Sequence, residues 1–319
     1  MTSDLAAFAA EIGPAGEVAC AGGMTQWETG GAPAPAVRTV RAPRGVVSHE
    51  PAEMIVRVGA ATTLSELQDT LADAGQQVAI ESDLPAQATV GGLLSVGHGG
   101  LRRLGWGPVR DTVLEVSAVN SLGEVIRAGA PLVKNVTGFD LCRLLVGSLG
   151  TLALLGEVVL RCRPLPEAEE WWVGEGADPF ALADRLYQPL AVLWDGNRTW
   201  VGLAGYAVDI RSQVEGVLGA DFVRIEGPPA PAGTIRRSLR PSALRDLPGR
   251  SGSGSWLAEV GVGVVHCDEV TAAALLRPPG AGHSQGIPEP VVRLHREIKH
   301  RFDPTGRLNP GRSPLPVAS

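Results

Sequence analysis

The sequence predicts an α+β protein of two domains, and three features predict it. Short apolar strands run into glycine-rich turns at residues 22–31, 88–100 and 147–152, as a backbone must when it approaches a ligand closely. Pro164, Pro166, Glu167, Glu169 and Glu170 then interrupt that pattern and mark a boundary. Beyond it, strand-like and helix-like segments alternate over about 120 residues, suggesting a smaller α/β-sandwich-like second domain. The expected division is 1–165, 166–288 and a C-terminal helix and tail, 289–319, returning to the first domain.

Composition narrows the function classes. Of the 319 residues, 44% are hydrophobic and 19% charged, a globular balance. Net charge is −6 and no basic block appears, which argues against a sequence-independent nucleic-acid surface. No apolar run reaches the roughly 18 residues of a membrane span. The N-terminal segment lacks the basic start of a secretory leader. A cytoplasmic location is therefore expected, with any membrane association made through partners. Cys20, Cys142, Cys162 and Cys267 are scattered, with no CxxC pair. Reduced thiols are expected, and no metal or iron–sulfur site within this chain.

The elements follow in order. Residues 5–12 read as a helix stopped by Gly13 and Pro14. A strand at 17–21 runs directly into Gly22, Gly23, Met24, Thr25, Gln26 and Trp27. Successive N–H groups of such a turn can converge on an anion, although the motif is neither GxGxxG nor a Walker A loop. Residues 37–47 read as loop and strand, 54–60 as a strand, and 62–75 as a helix. In that helix Thr63 and Glu66 form a capping box, and Leu64, Leu67 and Leu71 make one apolar face. A strand at 77–80 leads to Ala88, Thr89, Val90, Gly91 and Gly92, a second glycine turn opening a small-residue helix. Thr89 offers a hydroxyl there, and the glycines let the backbone meet a phosphate. His98 is a candidate for either a catalytic or a surface role, and Arg102 and Arg103 can offset ligand charge.

Residues 110–119 read as a strand beginning with Arg110 and Asp111, and 124–128 as its hairpin partner. Lys134, Gly138 and Asp140 put polar groups into a turn ahead of the apolar run 141–146. Gly147, Gly150, Thr151 and Leu152 form the third glycine turn, feeding a strand that ends near 163. In the second part, strands are expected at 171–173, 191–194, 199–205 and 222–225, and helices at 179–187 and 210–218. Its tryptophans (171, 172, 194, 200 and 256) fit a buried core better than a ligand stack.

Four motifs in sequence carry a resemblance. They are GG-x-T-xxW at Gly22–Trp27, ATVGG at Ala88–Gly92, R-D-x-V-L at Arg110–Leu114, and KNVTGFDLCRLLVGSLGTL at Lys134–Leu152. Together they resemble the FAD-binding domain of PCMH-type, vanillyl-alcohol-oxidase-like flavoproteins, and among these the FAD subunit of bacterial glycolate oxidases. The resemblance implies a non-covalent FAD whose pyrophosphate lies across the Gly22 and Thr89 turns. Met24 stands where a covalently linking histidine would be expected. The tail FDPTGRLNPGR resembles the family's closing segment and would put Asn309 near the flavin.

The same resemblance bears on substrate chemistry. Single-chain hydroxy-acid dehydrogenases of the superfamily carry H-x-G-D-G-N-x-H where this chain has Glu259-Val260-Gly261-Val262-Gly263-Val264-Val265-His266. Only the two glycines and His266 match. His266 is the candidate catalytic base, set against a structural histidine at a strand end. Leu149 likewise replaces a residue that is acidic in single-chain relatives. The expected function is an FAD-dependent oxidoreductase subunit, oxidising a 2-hydroxy acid such as glycolate to the 2-oxo acid. Electrons would pass to a second FAD subunit and an iron–sulfur subunit. A stand-alone flavin enzyme and an FAD-bearing scaffold are the alternatives.

Overall fold

The computed structural model describes residues 1–80, 84–97, 99–131, 140–233, 235–247, 255–275 and 287–315. The chain divides into two compact units: Met1–His98 with Pro108–Leu165 and Gly286–Ser319, and Gly99–Gly107 with Pro166–Gln285.

In the first unit, α1 (Ser3–Ile12) is capped by Thr2 and stopped by Gly13 at φ 56°. Its Leu5, Phe8 and Ile12 lie on one buried face. β1 (Val18–Cys20) pairs in parallel with β2 (Arg38–Val40), and the first glycine turn leaves from its end. β3 (Val46–Glu50) and β4 (Ile55–Gly59) form an antiparallel pair. In α2 (Leu64–Ala72) the Thr63–Glu66 capping box is complete, and Leu64, Leu67 and Leu71 are buried. β5 (Gln76–Val78) leads to α3 (Val90–Val96), which Thr89 caps and Gly97 ends at φ 69°.

Residues 109–112 depart from the expected strand. Pro108 opens a 3-10 turn there, closed by the Thr112 hydroxyl donating to the Val109 carbonyl at 2.7 Å. Arg110 and Asp111 therefore precede β6 (Val113–Val119) rather than lying on it. β6 and β7 (Val125–Gly129) form the expected hairpin, with Asn120 Oδ1 accepting from the Leu122 and Glu124 amides. The apolar run after Asp140 is a helix, α4 (Leu141–Leu145), because the Asp140 carboxylate accepts from the Arg143 amide at 3.1 Å. β8 (Leu154–Pro164) is the sheet's central strand, in the order β3-β4-β8-β6-β7. Buried on both faces for most of its length, it reads as a continuous apolar run.

The second unit is built on β9 (Ala168–Glu175), β10 (Ala191–Trp194), β11 (Arg198–Gly205), β12 (Phe222–Ile225), β13 (Ile235–Ser238), β14 (Trp256–Glu259) and β15 (Val264–Cys267). They form one antiparallel sheet in the order β12-β9-β11-β10-β14-β15-β13. α5 (Pro179–Arg185), α6 (Ala207–Gln213) and α7 (Glu269–Leu275) accompany it, α6 continuing as a π-helical turn over Val214–Leu218. The glycine-containing stretch before His266 is two strands, not one. Gly261 and Gly263, at φ 82° and 84°, turn β14 back into β15. The tryptophans do build core: Trp171 is 2% exposed, and the Trp194 and Trp256 rings meet edge-on at 5.0 Å.

The C-terminal helix α8 (Glu289–Phe302) and the tail belong to the first unit. The tail is pinned by Arg307, whose guanidinium donates to the carbonyls of Ile12, Gly13, Ala15, Gly16 and Ser121. The Asn309 amide then donates to Val18 O at 2.8 Å, which lays the tail beside β1.

Candidate functional site

Two glycine turns of the first unit pack against each other, and their chemistry explains the glycines. A β-carbon on Gly22 would fall 2.4 Å from Thr89 Oγ1, and one on Gly23 1.6 Å from the Gln87 carbonyl oxygen. One on Gly91 would fall 2.8 Å from Ala60 Cβ. At Gly23 and Gly91 no side chain fits without moving backbone, and at Gly22 none fits without displacing the Thr89 side chain. Thr89 Oγ1 accepts from the Gly92 amide at 3.2 Å, so this hydroxyl caps α3 and retains its O–H and one lone pair for a ligand.

These turns wall a groove enclosing about 750 Å³, open mouth included. It gathers Gly22, Gly23, Met24, Thr25, Gln26, Thr89, Gly91 and Gly92 with Gly150 and Asn309. Met24, Leu149 and Asn309 line it at φ 56°, 55° and 47°, three of the five described non-glycine residues in the left-handed region. Such strain persists only where surrounding structure enforces it. For Asn309 the enforcement is visible, since its Nδ2 donates to the Leu149 carbonyl. Its Oδ1 is buried with no partner among the described residues.

Arg312 is the charged side chain of this groove among the described residues. Its guanidinium stacks 4.2 Å over the Trp27 ring and donates to the Trp27 carbonyl, while Nε is buried without a partner. Burial lowers its pKa from the ordinary arginine value, with Glu28 acting the other way, but the group stays cationic. Cys20 also lines the groove, and burial pushes its thiol up to about 11. The nucleophilic thiolate is therefore scarce at neutral pH.

The groove fits FAD on its own features. The Gly22–Gly23 turn offers backbone amides to a diphosphate, whereas those of Val90, Gly91 and Gly92 are committed to Thr62 O, Ala60 O and Thr89 Oγ1; a lone guanidinium supplies countercharge, and Asn309 Oδ1 offers an unused acceptor.

Not every expected residue reaches this groove. Ala88 and Val90 are buried beside it in the first unit's core. Gly147, Thr151 and Leu152 line a second cavity of about 1080 Å³, open mouth included, against α8. Arg110, Asp111 and Asp140 are exposed at the surface, where Arg143 bridges Asp111 at 2.9 Å and Asp140 at 3.0 Å. Lys134, Gly138 and His98 lie outside the described residues. Sequence reasoning missed Arg312 and Cys20. The signal for Arg312 was the pairing of the closing NPGR with Trp27, which only the fold brings together.

In the second unit, His266 has a partner that its surrounding valines did not suggest. Its Nε2 lies 2.8 Å from Glu259 Oε1, and Glu259 is 1% exposed. A carboxylate only accepts, so in the neutral imidazole Nε2 carries the hydrogen toward Glu259 and Nδ1 holds the lone pair. Glu259 Oε2 is buried without a partner among the described residues.

Known proteins agree with this geometry. Residues 6–129 match the family described as FAD binding domain. The chain is 30% identical to glycolate oxidase subunit GlcE of Escherichia coli, over 86% of this chain and 85% of that protein. It is 42% identical to glycolate oxidase subunit GlcD of Bacillus subtilis, over 26% of this chain and 18% of that one. A D-lactate dehydrogenase of Archaeoglobus fulgidus is 38% identical over 33% of this chain and 24% of its own length. The solved structure of an alkyldihydroxyacetonephosphate synthase shares the fold, with TM-score 0.66 and 14% identity over 92% of this chain and 71% of that one. With the fold, the glycine-built groove and a match along most of its length in agreement, the chain belongs to the PCMH-type FAD-binding flavoproteins, the oxidoreductase family of glycolate oxidase subunit GlcE.

Proposed function

We propose that this FAD-dependent oxidoreductase is one subunit of a glycolate-oxidase-like complex oxidising a 2-hydroxy acid to the 2-oxo acid. The observation that carries the reading is the match to a glycolate oxidase subunit along 86% of the chain, with the groove's glycines in place. Residues 1–98 and 108–165 with the C-terminal segment from 286 form the FAD-binding domain, and 166–285 with 99–107, which the expected 1–165 boundary had included, form the cap in this reading. FAD is held without a covalent bond and supplies the two-electron sink for the substrate's α C–H. Gly22, Gly23, Gly91 and Gly92 admit its diphosphate, and Asn309 and Arg312 close on it from the tail. His266 Nδ1, oriented through Nε2 by Glu259, takes the hydroxyl proton. Electrons leave to a second FAD subunit and an iron–sulfur subunit. The location is cytoplasmic, at the membrane only through those partners; among the described residues no helix is long and apolar enough to span one.

Isolation of the tagged chain from its host under mild conditions tests the complex. The expected result is stoichiometric recovery with a second flavoprotein and an iron–sulfur protein. Recovery of the chain alone, turning over glycolate unaided, would replace the subunit by a stand-alone flavin enzyme. The Glu259–His266 pair is the observation favouring that second reading, because it supplies a base within this chain.

A further inference from the structure

The first unit holds a second cavity apart from the FAD groove. It encloses about 1080 Å³, open mouth included, between α4, the turn after it and α8. The way α8 is held accounts for it. The C-terminal half of the helix is tied down, with Lys299 Nζ donating to the carbonyls of Thr151 at 2.7 Å and Leu308 at 3.1 Å. Ile298 and Phe302 pack there on the core. No residue of the N-terminal half is buried, and Val291 and Leu294 are exposed. That half stands off the core and forms one wall of the cavity.

Apolar walls meet basic groups in it. Leu144, Val146 and Leu152 line one side, and Val292 and Ile298 come from α8. Left to water, such surface costs about 25 cal/mol per Å², so the cavity favours an apolar occupant. Arg143, His295, Arg296, Lys299 and Arg312 also line it, and no carboxylate among the described residues does. Three of these groups are already engaged. Arg143 bridges Asp111 and Asp140, Lys299 pairs with Asp303, and Arg312 stacks on Trp27. His295 has no hydrogen-bond or ion-pair partner among the described residues. Arg296 reaches only Glu289, at 3.6 Å, with the two side chains 72% and 76% exposed, where water screens the pair.

An occupant must match both features. An apolar chain suits the walls. An anionic head suits Arg296 and His295, because a guanidinium fork binds a carboxylate through two parallel hydrogen bonds. The residues of α8 that line the cavity run from Val292 to Lys299, about 10 Å of helix, which limits the chain that fits. We propose that this cavity binds a free medium-chain carboxylate, its chain against Leu144, Val146, Leu152 and Val292 and its head on Arg296 and His295. Walls on opposite sides take a single chain rather than a bilayer surface. The site is distinct from the FAD groove, with which it shares only Arg312 among the described lining residues.

Octanoate, 1-octanol and acetate, titrated by calorimetry into the FAD-loaded chain, separate the chain from the head. Octanoate should bind saturably, octanol about tenfold more weakly, and acetate not measurably. His295→Gln combined with Arg296→Gln should weaken octanoate about tenfold and leave octanol unchanged. Val292→Asp, which sets a like charge on an apolar wall, should abolish octanoate binding. Arg293→Gln, at an exposed arginine of α8 outside the cavity, should change nothing. Retained flavin absorption and near-ultraviolet tryptophan dichroism show that the variants fold. No saturable octanoate binding by the wild type overturns the site, as does wild-type affinity in both the double variant and Val292→Asp. Sedimentation of the wild type with phosphatidylglycerol vesicles, without octanoate binding in solution, overturns it in favour of a membrane surface.

Discussion

Arg312 shows what a single residue contributes to the groove. It comes from the tail, stacks on Trp27 and leaves Nε unpaired beside turns that otherwise present only neutral groups. In the proposed function its counterpart is the diphosphate of FAD. Arg312→Gln should weaken FAD about tenfold, worth about 1.4 kcal/mol, while leaving riboflavin, which lacks phosphates, unaffected. Fluorescence titration with both flavins checks this, and equal losses for the two would mean that Arg312 shapes the groove rather than reading charge. Much at this scale was legible in the sequence. The glycines at 22, 23 and 91 stand where a β-carbon would strike another turn, so their identity follows from geometry. Glu259 was illegible as a partner, because its contact with His266 exists only once Gly261 and Gly263 fold the segment back on itself.

At the scale of elements, α2 is the clearest case of local sequence deciding structure. Glu66 Oε2 accepts from the Thr63 amide, and Thr63 Oγ1 accepts from the Glu66 amide. The Arg44 guanidinium donates to the same carboxylate, and with the Thr63 amide it lowers the Glu66 pKa to about 2. A carboxyl depressed in the folded state contributes stability above its unfolded value, about 4.3, and loses it as pH falls toward the folded value. Arg44 and Glu66 are 62% and 44% exposed, so screening keeps the ion-pair share small. Glu66→Gln should lower Tm at pH 7 and narrow its gap from the wild type near pH 3. A constant difference across that range would show that the charge is not involved. Elsewhere local pattern was ambiguous. The run 141–146 gave no helical period to read, and became α4 through the Asp140 cap. Residues 109–112 carried strand-like side chains, but Pro108 and the Thr112 hydroxyl made them a turn.

At the scale of the whole molecule, distant segments are joined at few points. Arg307 binds five carbonyls drawn from the end of α1, the loop after it and the β6–β7 turn. Arg307→Ala leaves those acceptors in a site where the arginine is only 5% exposed. The expected loss is about 3 kcal/mol or more, seen as a lower denaturation midpoint and weaker FAD retention, since the same tail carries Asn309 and Arg312. A midpoint within experimental error of the wild type would show that the tail is held elsewhere. Such long-range ties leave no periodic trace, which is why the sequence revealed the tail's destination only through its resemblance to a family. The seven-stranded order of the second unit was hidden for the same reason. β13 is a four-residue strand with little apolar pattern of its own, completed only by pairing with β15.

In the proposed function an FAD groove serves 2-hydroxy-acid oxidation, and one spectrum tests that link. The flavoprotein is isolated with its partners from the host and made anaerobic, and its visible flavin absorption is recorded before and after adding glycolate or D-lactate. Bleaching of the oxidised flavin band by a hydroxy acid, but not by an alcohol lacking the carboxylate, is the predicted result. A bound FAD that stays oxidised in the intact complex with every hydroxy acid tried would contradict the account.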